Sequence, residues 1–138
     1  MVKAYVTLLT STHDEKNTVL VEVPDLEIIT EGYGIEDAIY MARDAIGLSL
    51  ITREDNNMEI PEPSDINDID VLNSAFIESG NPIKTLVDID VTEYRRKIDN
   101  KSVRRNVTIP NWLNQAAEAQ HLNVSRVLQE ALMEKLGV

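Results

Sequence analysis

The chain has 138 residues, 43% of them hydrophobic and 4% aromatic, which is enough for one ordinary domain or two small ones. It contains no cysteine, which excludes disulfides, thiolate metal sites and cysteine nucleophiles. No apolar run approaches the ~20 residues that cross a bilayer, and no signal-peptide pattern opens the sequence. We therefore expect a cytoplasmic protein that does not associate with membranes.

The net charge of −11 is distributed unevenly along the chain. Residues 1–91 contain 19 acidic and 5 basic residues, a net charge of −14, whereas residues 92–138 contain 5 acidic and 8 basic residues, a net charge of +3. An acidic surface repels nucleic acid and attracts basic proteins, and a basic segment does the reverse. The asymmetry indicates two functions on one chain, although an acidic surface also keeps a protein soluble.

The first half of the chain predicts an α+β fold, a small antiparallel sheet with a packed helix. Residues 3–9 and 18–23 alternate as strands of a hairpin, which Pro24 ends because proline has no amide donor, and residues 26–30 predict a third strand. A helix is predicted over residues 35–50, whose apolar positions recur every three or four residues. These positions are Ile35, Ala38, Ile39, Ala42, Ile46 and Leu50.

The middle of the chain carries weaker signals. Residues 52–82 are polar and irregular, and Pro61 and Pro63 indicate an extended connector. Residues 84–91 alternate like a strand that returns to the sheet, and residues 92–98 predict a brief basic helix.

The last segment predicts a strand, a helix, a turn and a second helix. Residues 103–109 form the strand, which Pro110 stops, residues 111–121 form a helix, and Asn123 is a good N-cap for the final helix. So short a segment cannot bury a core alone. We expect two copies to combine, with their strands paired across the dimer axis.

Residues 104–110, 112–113 and 122–128 resemble the ribbon-helix-helix family of DNA-binding domains. The sequence departs from that family at Arg105, where an apolar residue is usual, and at His121, where a helix-ending glycine is common. The resemblance implies that the paired strands enter the major groove of an inverted-repeat operator.

Within this resemblance, strand alternation directs Val107 and Ile109 inward and three polar side chains outward, where they suit base edges. The start of the final helix offers backbone amides to a phosphate. Basic residues between positions 95 and 101 are expected to add non-specific attraction for the DNA backbone. The predicted DNA-binding residues are Arg104, Asn106, Thr108, Asn123, Val124 and Ser125.

A second resemblance covers short motifs of the first half, whose order and spacing are similar to the HicB antitoxin family. It implies a partial ribonuclease-H-like sheet, binding to a small HicA toxin that cleaves messenger RNA, and repression of the shared operon. Glu27 and Ile28 replace the family's usual glycine–cysteine step. The matching stretches are residues 3–5, 21–26, 30–32, 36–39, 42, 45–46 and 60–63.

Together the resemblances imply a type II antitoxin that is not an enzyme and needs no cofactor. Residues 1–91 form the expected toxin-binding domain, residues 92–102 a basic linker with a short helix, and residues 103–138 the ribbon-helix-helix domain. The expected partners are a HicA-like toxin, operator DNA and a second copy, with a tetramer if the N-terminal domains also associate. Four carboxylates around the second and third strands are the candidate toxin contacts, although each also suits a solvated surface. They are Glu22, Asp25, Glu27 and Glu31.

Two alternatives remain open at this point. A metal-dependent nuclease needs carboxylates around metal ions about 4 Å apart, and Asp88, Asp90 and Glu22 could approach one another. Acidic residues are so abundant that such groups arise by chance, so no catalytic residue or metal ligand is assigned. The other alternative is a ribbon-helix-helix transcription factor whose N-terminal domain senses a small molecule.

Overall fold

A computed structural model of the chain describes residues 1–99 and 102–138. The chain divides into two compact units, Met1–Asp99 and Asn100–Val138. Within the described residues, no helix is both long enough and apolar enough to span a membrane.

In residues 1–99, four strands form one antiparallel sheet in the order β3-β2-β1-β4. The strands are β1 (Val2–Ser11), β2 (Thr18–Val23), β3 (Ile28–Tyr33) and β4 (Ile83–Asp90). The predicted hairpin is confirmed, with Leu9 opposite Val21. The third strand begins later than predicted because Pro24–Leu26 form a 3-10 turn, which Glu27 closes in the left-handed conformation at φ 54°.

Helix α1 (Ile35–Asp55) packs on one face of the sheet. An alanine Cβ at Gly32 would lie 2.5 Å from the Ala38 amide nitrogen, so only glycine allows β3 and α1 to approach this closely. Of the predicted stripe, Ala38, Ala42, Ile46 and Leu50 are buried, Ile39 is partly buried, and Ile35, in the first turn, is exposed. The helix continues past the predicted end at residue 50 because Ile51 is also buried.

The second face of the sheet is partly covered by the segment that joins α1 to β4. This segment contains two 3-10 turns, Ile66–Asp68 and Val71–Asn73, and no α-helix is described between residues 56 and 82. The central strand β1 is therefore buried on both faces, since Tyr5 packs in the α1 core while Leu8 lines a cleft beside the joining segment.

Helix α2 (Val91–Ile98) follows β4 directly, and the Asp90 carboxylate caps it by accepting the amides of Thr92 and Glu93. The Tyr94 ring packs onto α1 at Gly47, where an alanine Cβ would lie 2.7 Å from the ring, and Arg95 pairs with Asp55 at 2.8 Å. These contacts make α2 part of the N-terminal unit. The unit thus extends beyond the predicted 1–91 domain. Helix α2 belongs to this unit, whereas a linker was predicted over residues 92–102. Residues 100–101 of that linker lie outside the described residues.

The C-terminal unit contains helices α3 (Asn111–Ala119) and α4 (Val124–Leu136). The described residues 102–110 contain no strand, which differs from the strand predicted over 103–109. A strand requires a hydrogen-bonded neighbour, and a single chain supplies none here. Helix α3 ends before residue 121 because His121 adopts the left-handed conformation at φ 54° and its amide donates back to the Glu118 carbonyl oxygen.

Candidate functional site

The N-terminal unit is strongly acidic, with 21 acidic and 8 basic residues among residues 1–99 and a net charge of −13. Two of the four predicted toxin-contact carboxylates are occupied within the unit. Glu22 Oε2 accepts the Ser74 hydroxyl at 2.9 Å and the Ala75 amide at 3.2 Å. Asp25 accepts the Ser64 amide and hydroxyl, both at 2.7 Å. These two carboxylates hold the joining segment against the sheet.

The other two carboxylates, Glu27 and Glu31, are exposed on or beside the edge strand β3. Within residues 1–99 and 102–138, neither has a hydrogen bond or an ion pair. Gly32 points toward α1, so strand alternation places Glu31 on the opposite face, between Ile29 and Tyr33. Ile29 is 63% and Tyr33 is 57% exposed. This surface therefore offers free negative charge beside apolar area.

The three carboxylates of the nuclease alternative have structural partners. Asp88 pairs with Arg43 at 3.1 Å, Asp90 caps α2, and Glu22 binds Ser74. No cluster of three or more acidic or histidine side chains suited to a metal ion is found in the described part of the chain. The two histidines of the sequence both lie exposed in left-handed turns, one in each unit.

The sequence did not predict a cleft of about 470 Å³ that lies between α1, β4 and α2. Its lining includes Tyr40, Asp44 and Tyr94, and the Tyr94 hydroxyl donates to Asp44 Oδ1 at 2.9 Å. Burial, and then the hydrogen bond to Asp44, raise the pKa of Tyr94 to about 12. Tyr94 is therefore neutral near pH 7, and the cleft combines aromatic side chains with charged side chains of both signs, which include Arg43 and Lys97.

The six predicted DNA-binding residues are all exposed in the C-terminal unit. Arg104, Asn106 and Thr108 lie in the extended stretch before α3. Asn123 is confirmed as the N-cap of α4, because its side chain accepts the Arg126 amide at 3.1 Å. In the described residues the amides of Val124 and Ser125 have no acceptor, as expected for a first helical turn that can bind an anion.

The C-terminal unit exposes the apolar side chains that would form its core. Every described residue from 102 to 138 is at least partly exposed, and Trp112 is 70% and Val107 53% exposed. A concavity of about 280 Å³ is lined entirely by apolar residues of the extended stretch, α3 and α4. Its lining residues are Val107, Ile109, Leu113, Ala117, Leu122, Val124, Val127, Leu128 and Ala131.

The basic residues of α2 were expected to add non-specific attraction for DNA, but two of them are paired. Arg95 contacts Glu54 and Asp55, and Arg96 contacts Glu93 at 2.7 Å. Lys101, which belongs to the same prediction, lies outside the described residues.

Comparison with known proteins places this geometry in a family. Residues 5–132 match the family described as HicB-like antitoxin of bacterial toxin-antitoxin system. The chain belongs to the HicB-like antitoxin family. It is an antitoxin of a toxin–antitoxin system, and its family indicates a regulatory protein rather than an enzyme.

Two solved structures share the fold of this HicB-like antitoxin. A chain of a toxin–antitoxin complex from Streptococcus pneumoniae is 25% identical, with a TM-score of 0.61 over 98% of this chain and 99% of that chain. The antitoxin HicB of Burkholderia pseudomallei is 23% identical, with a TM-score of 0.50 over 98% of this chain and 97% of that chain. No curated protein sequence matches. The α+β fold, with its antiparallel sheet, is thus shared with HicB antitoxins.

Proposed function

We propose that this antitoxin neutralises a HicA-like messenger-RNA-cleaving toxin by direct binding and represses its own operon as a DNA-bound dimer. The N-terminal unit is the toxin-binding part. Its net charge of −13 complements the positive face that a ribonuclease needs for RNA, and it repels the RNA itself. The similar chain from Streptococcus pneumoniae belongs to a toxin–antitoxin complex, which supports a protein partner rather than a small ligand.

The observation that carries the DNA-binding proposal is the exposed apolar concavity of the C-terminal unit. Thirty-odd residues whose apolar side chains face solvent do not fold stably alone. A second copy covers Val107, Ile109 and the inner faces of both helices, and its residues 103–109 supply the missing strand partner. The paired strands then present Arg104, Asn106 and Thr108 of both chains to the major groove.

Neutralisation is tested by co-expression of the small basic protein encoded beside the gene for this chain. The full chain and a fragment of residues 1–99 should both protect cells, because the fragment keeps α2 and its contacts with α1. Death of cells that contain folded, soluble fragment would show that neutralisation needs the C-terminal unit. Death of cells that contain the full chain would overturn the proposed function.

Dimerisation is tested by Leu113→Glu, which places a charge in the apolar concavity. Light scattering should show half the mass of the wild type for this variant: a monomer if the wild type is a dimer, or a dimer if the wild type is a tetramer. Gln115→Glu is the matched control, since it adds the same charge at an exposed position of α3. A Leu113→Glu variant with the same mass as the wild type would contradict the proposed interface.

DNA recognition is tested by Arg104→Ala with the inverted repeat upstream of the operon. Affinity should fall by about 1–3 kcal/mol with relaxed preference at one base pair. Arg126→Ala is the control, because Arg126 pairs with Glu130 on α4 at 3.1 Å. Equal effects of the two substitutions would exclude specific contact by Arg104.

A further inference from the structure

The outer edge of β3 carries unused backbone hydrogen-bonding groups. Strand β3 is at one end of the sheet. The Gly34 amide donates toward β2, to the Asn17 carbonyl oxygen at 2.8 Å, whereas the Tyr33 amide donates to the Asp37 carboxylate. Main-chain direction alternates along a strand, so the amides and carbonyls of Ile29 and Glu31 point away from β2. Within the described residues, nothing binds them.

A side chain also covers part of the opposite edge of the sheet, on β4. Arg43 Nε donates to the carbonyl oxygen of Asp88 in β4 at 2.9 Å, and its Nη2 binds the Asp88 carboxylate. On β3, among the described residues, the Asp37 carboxylate covers the Tyr33 amide at the end of the strand and leaves the Ile29 and Glu31 backbone groups open. The strand contains no proline or lysine, the residues that commonly protect an edge. The middle of the β3 edge is therefore open to pairing.

The charge beside this edge determines which occupant fits. Glu27 and Glu31 have no partner in the described residues, and Glu31 lies between the exposed side chains of Ile29 and Tyr33. Two copies paired through β3 would bring these carboxylates together, and like charges on facing strands destabilise the pair. A strand that carries lysine or arginine forms ion pairs with the same carboxylates.

We propose that the outer edge of β3 binds an extended, basic segment of the toxin as a fifth strand of the sheet. The Ile29 and Glu31 backbone groups supply the hydrogen bonds, Glu31 pairs with a basic side chain, and Ile29 and Tyr33 provide apolar contact. This inference rests on the proposed function, because it names the surface through which the toxin is held.

The test compares Glu31→Pro with Glu31→Gln in the full chain, titrated with the neighbouring-gene toxin in a nuclease-inactive form. Both variants lose the charge, but only proline also removes the outward amide, which the β2 ladder does not use. Glu31→Pro should bind about tenfold more weakly than Glu31→Gln, because the toxin's acceptor loses its donor. Leu86→Pro and Leu86→Gln form the matched control on β4, where the Leu86 amide also points outward, and they should bind alike.

Equal affinity of Glu31→Pro and Glu31→Gln would overturn strand addition at β3. Retained affinity together with a fall from tetramer to dimer in Glu31→Pro would assign the edge to a second copy instead. If the wild-type chain does not bind the toxin, the proposed function is wrong, and the toxin segment proposed for the β3 edge is wrong with it.

Amide hydrogen exchange in the wild-type chain tests strand addition at β3 even if Glu31→Pro does not fold. The Ile29 and Glu31 amides should exchange more slowly in the toxin complex, while the Leu86 amide stays unchanged. Unchanged exchange at Ile29 and Glu31 would refute the pairing.

Discussion

Replacing Gly47 by alanine is expected to destabilise the N-terminal unit, although alanine normally stabilises a helix. The new Cβ would lie 2.7 Å from Cδ2 and 2.8 Å from Cγ of Tyr94. Ordinary carbon–carbon contacts lie at about 3.5–4.0 Å, so the ring would have to move by roughly 1 Å. That movement separates α2 from α1 and strains the hydrogen bond between the Tyr94 hydroxyl and Asp44.

The change in the free energy of unfolding is the sum of one stabilising and two destabilising contributions. Alanine adds about 1 kcal/mol of helix propensity, whereas overpacking costs about 1–3 kcal/mol and a weakened hydrogen bond costs about 1 kcal/mol. The free energy of unfolding should therefore fall by about 1–3 kcal/mol.

The chain allows its two units to be monitored separately. All four tyrosines lie in residues 1–99, and the single tryptophan is Trp112 in the C-terminal unit. Gly47→Ala should lower the denaturation midpoint seen by tyrosine absorbance and leave the Trp112 fluorescence transition unchanged. In a Tyr94→Ala background the ring is absent, so the same substitution should stabilise by up to about 1 kcal/mol. If Gly47→Ala changed the free energy of unfolding with the same sign in both backgrounds, the packing argument would be refuted.

Three further predictions concern pH and helix ends. Burial and Asp44 raise the pKa of Tyr94 from 10.0 to about 12, which favours the neutral form in the folded state. The contribution of neutral Tyr94 to the free energy of unfolding should be complete below pH 10 and lost as the pH rises through about 12. Thermal unfolding followed by circular dichroism should show a smaller loss of stability over this pH range in Tyr94→Phe. His121→Gly should stabilise the C-terminal unit by about 0.5–1 kcal/mol, because His121 has a φ of 54°. The control Gln120→Gly, at a φ of −95°, should not stabilise the unit. A lower denaturation midpoint for His121→Gly would contradict the prediction. Asn123→Ala should destabilise the Trp112 transition by about 1 kcal/mol through loss of the α4 cap, measured at fixed protein concentration, and an unchanged midpoint would show that the cap contributes nothing.

Local patterns were sufficient to predict the strands of the hairpin and the buried face of α1. The alternation of residues 18–23 and the recurrence of Ala38, Ala42 and Ile46 depend on immediate neighbours in the chain. The course of residues 61–82 could not be predicted, because contacts distant in sequence hold it. Asp25 binds Ser64 and Glu22 binds Ser74, and such pairs leave no periodic signal.

The candidate sites show the same limit. Glu22 and Glu31 look equivalent in the sequence, yet Glu22 holds the joining segment, whereas the Glu31 carboxylate has no partner among the described residues. Packing between Gly47 and Tyr94 had one available signal, since a glycine inside a helical pattern often marks a close contact. The strand predicted over residues 103–109 would need a partner strand that a single chain does not supply, so it stays a prediction.

The strand order has a consequence for synthesis on the ribosome. Strand β1 emerges early but is central in the sheet, and Val2 pairs with Asp90, so one of its edges stays unpaired until β4 has been made. A nascent chain that ends before residue 83 presents an apolar strand with an open edge, which invites aggregation. Ribosome-arrested chains with residues 1–82 outside the exit tunnel should therefore be digested by protease much faster than chains with residues 1–99 outside. Protection of the N-terminal unit from degradation would then begin only after β4 has left the exit tunnel.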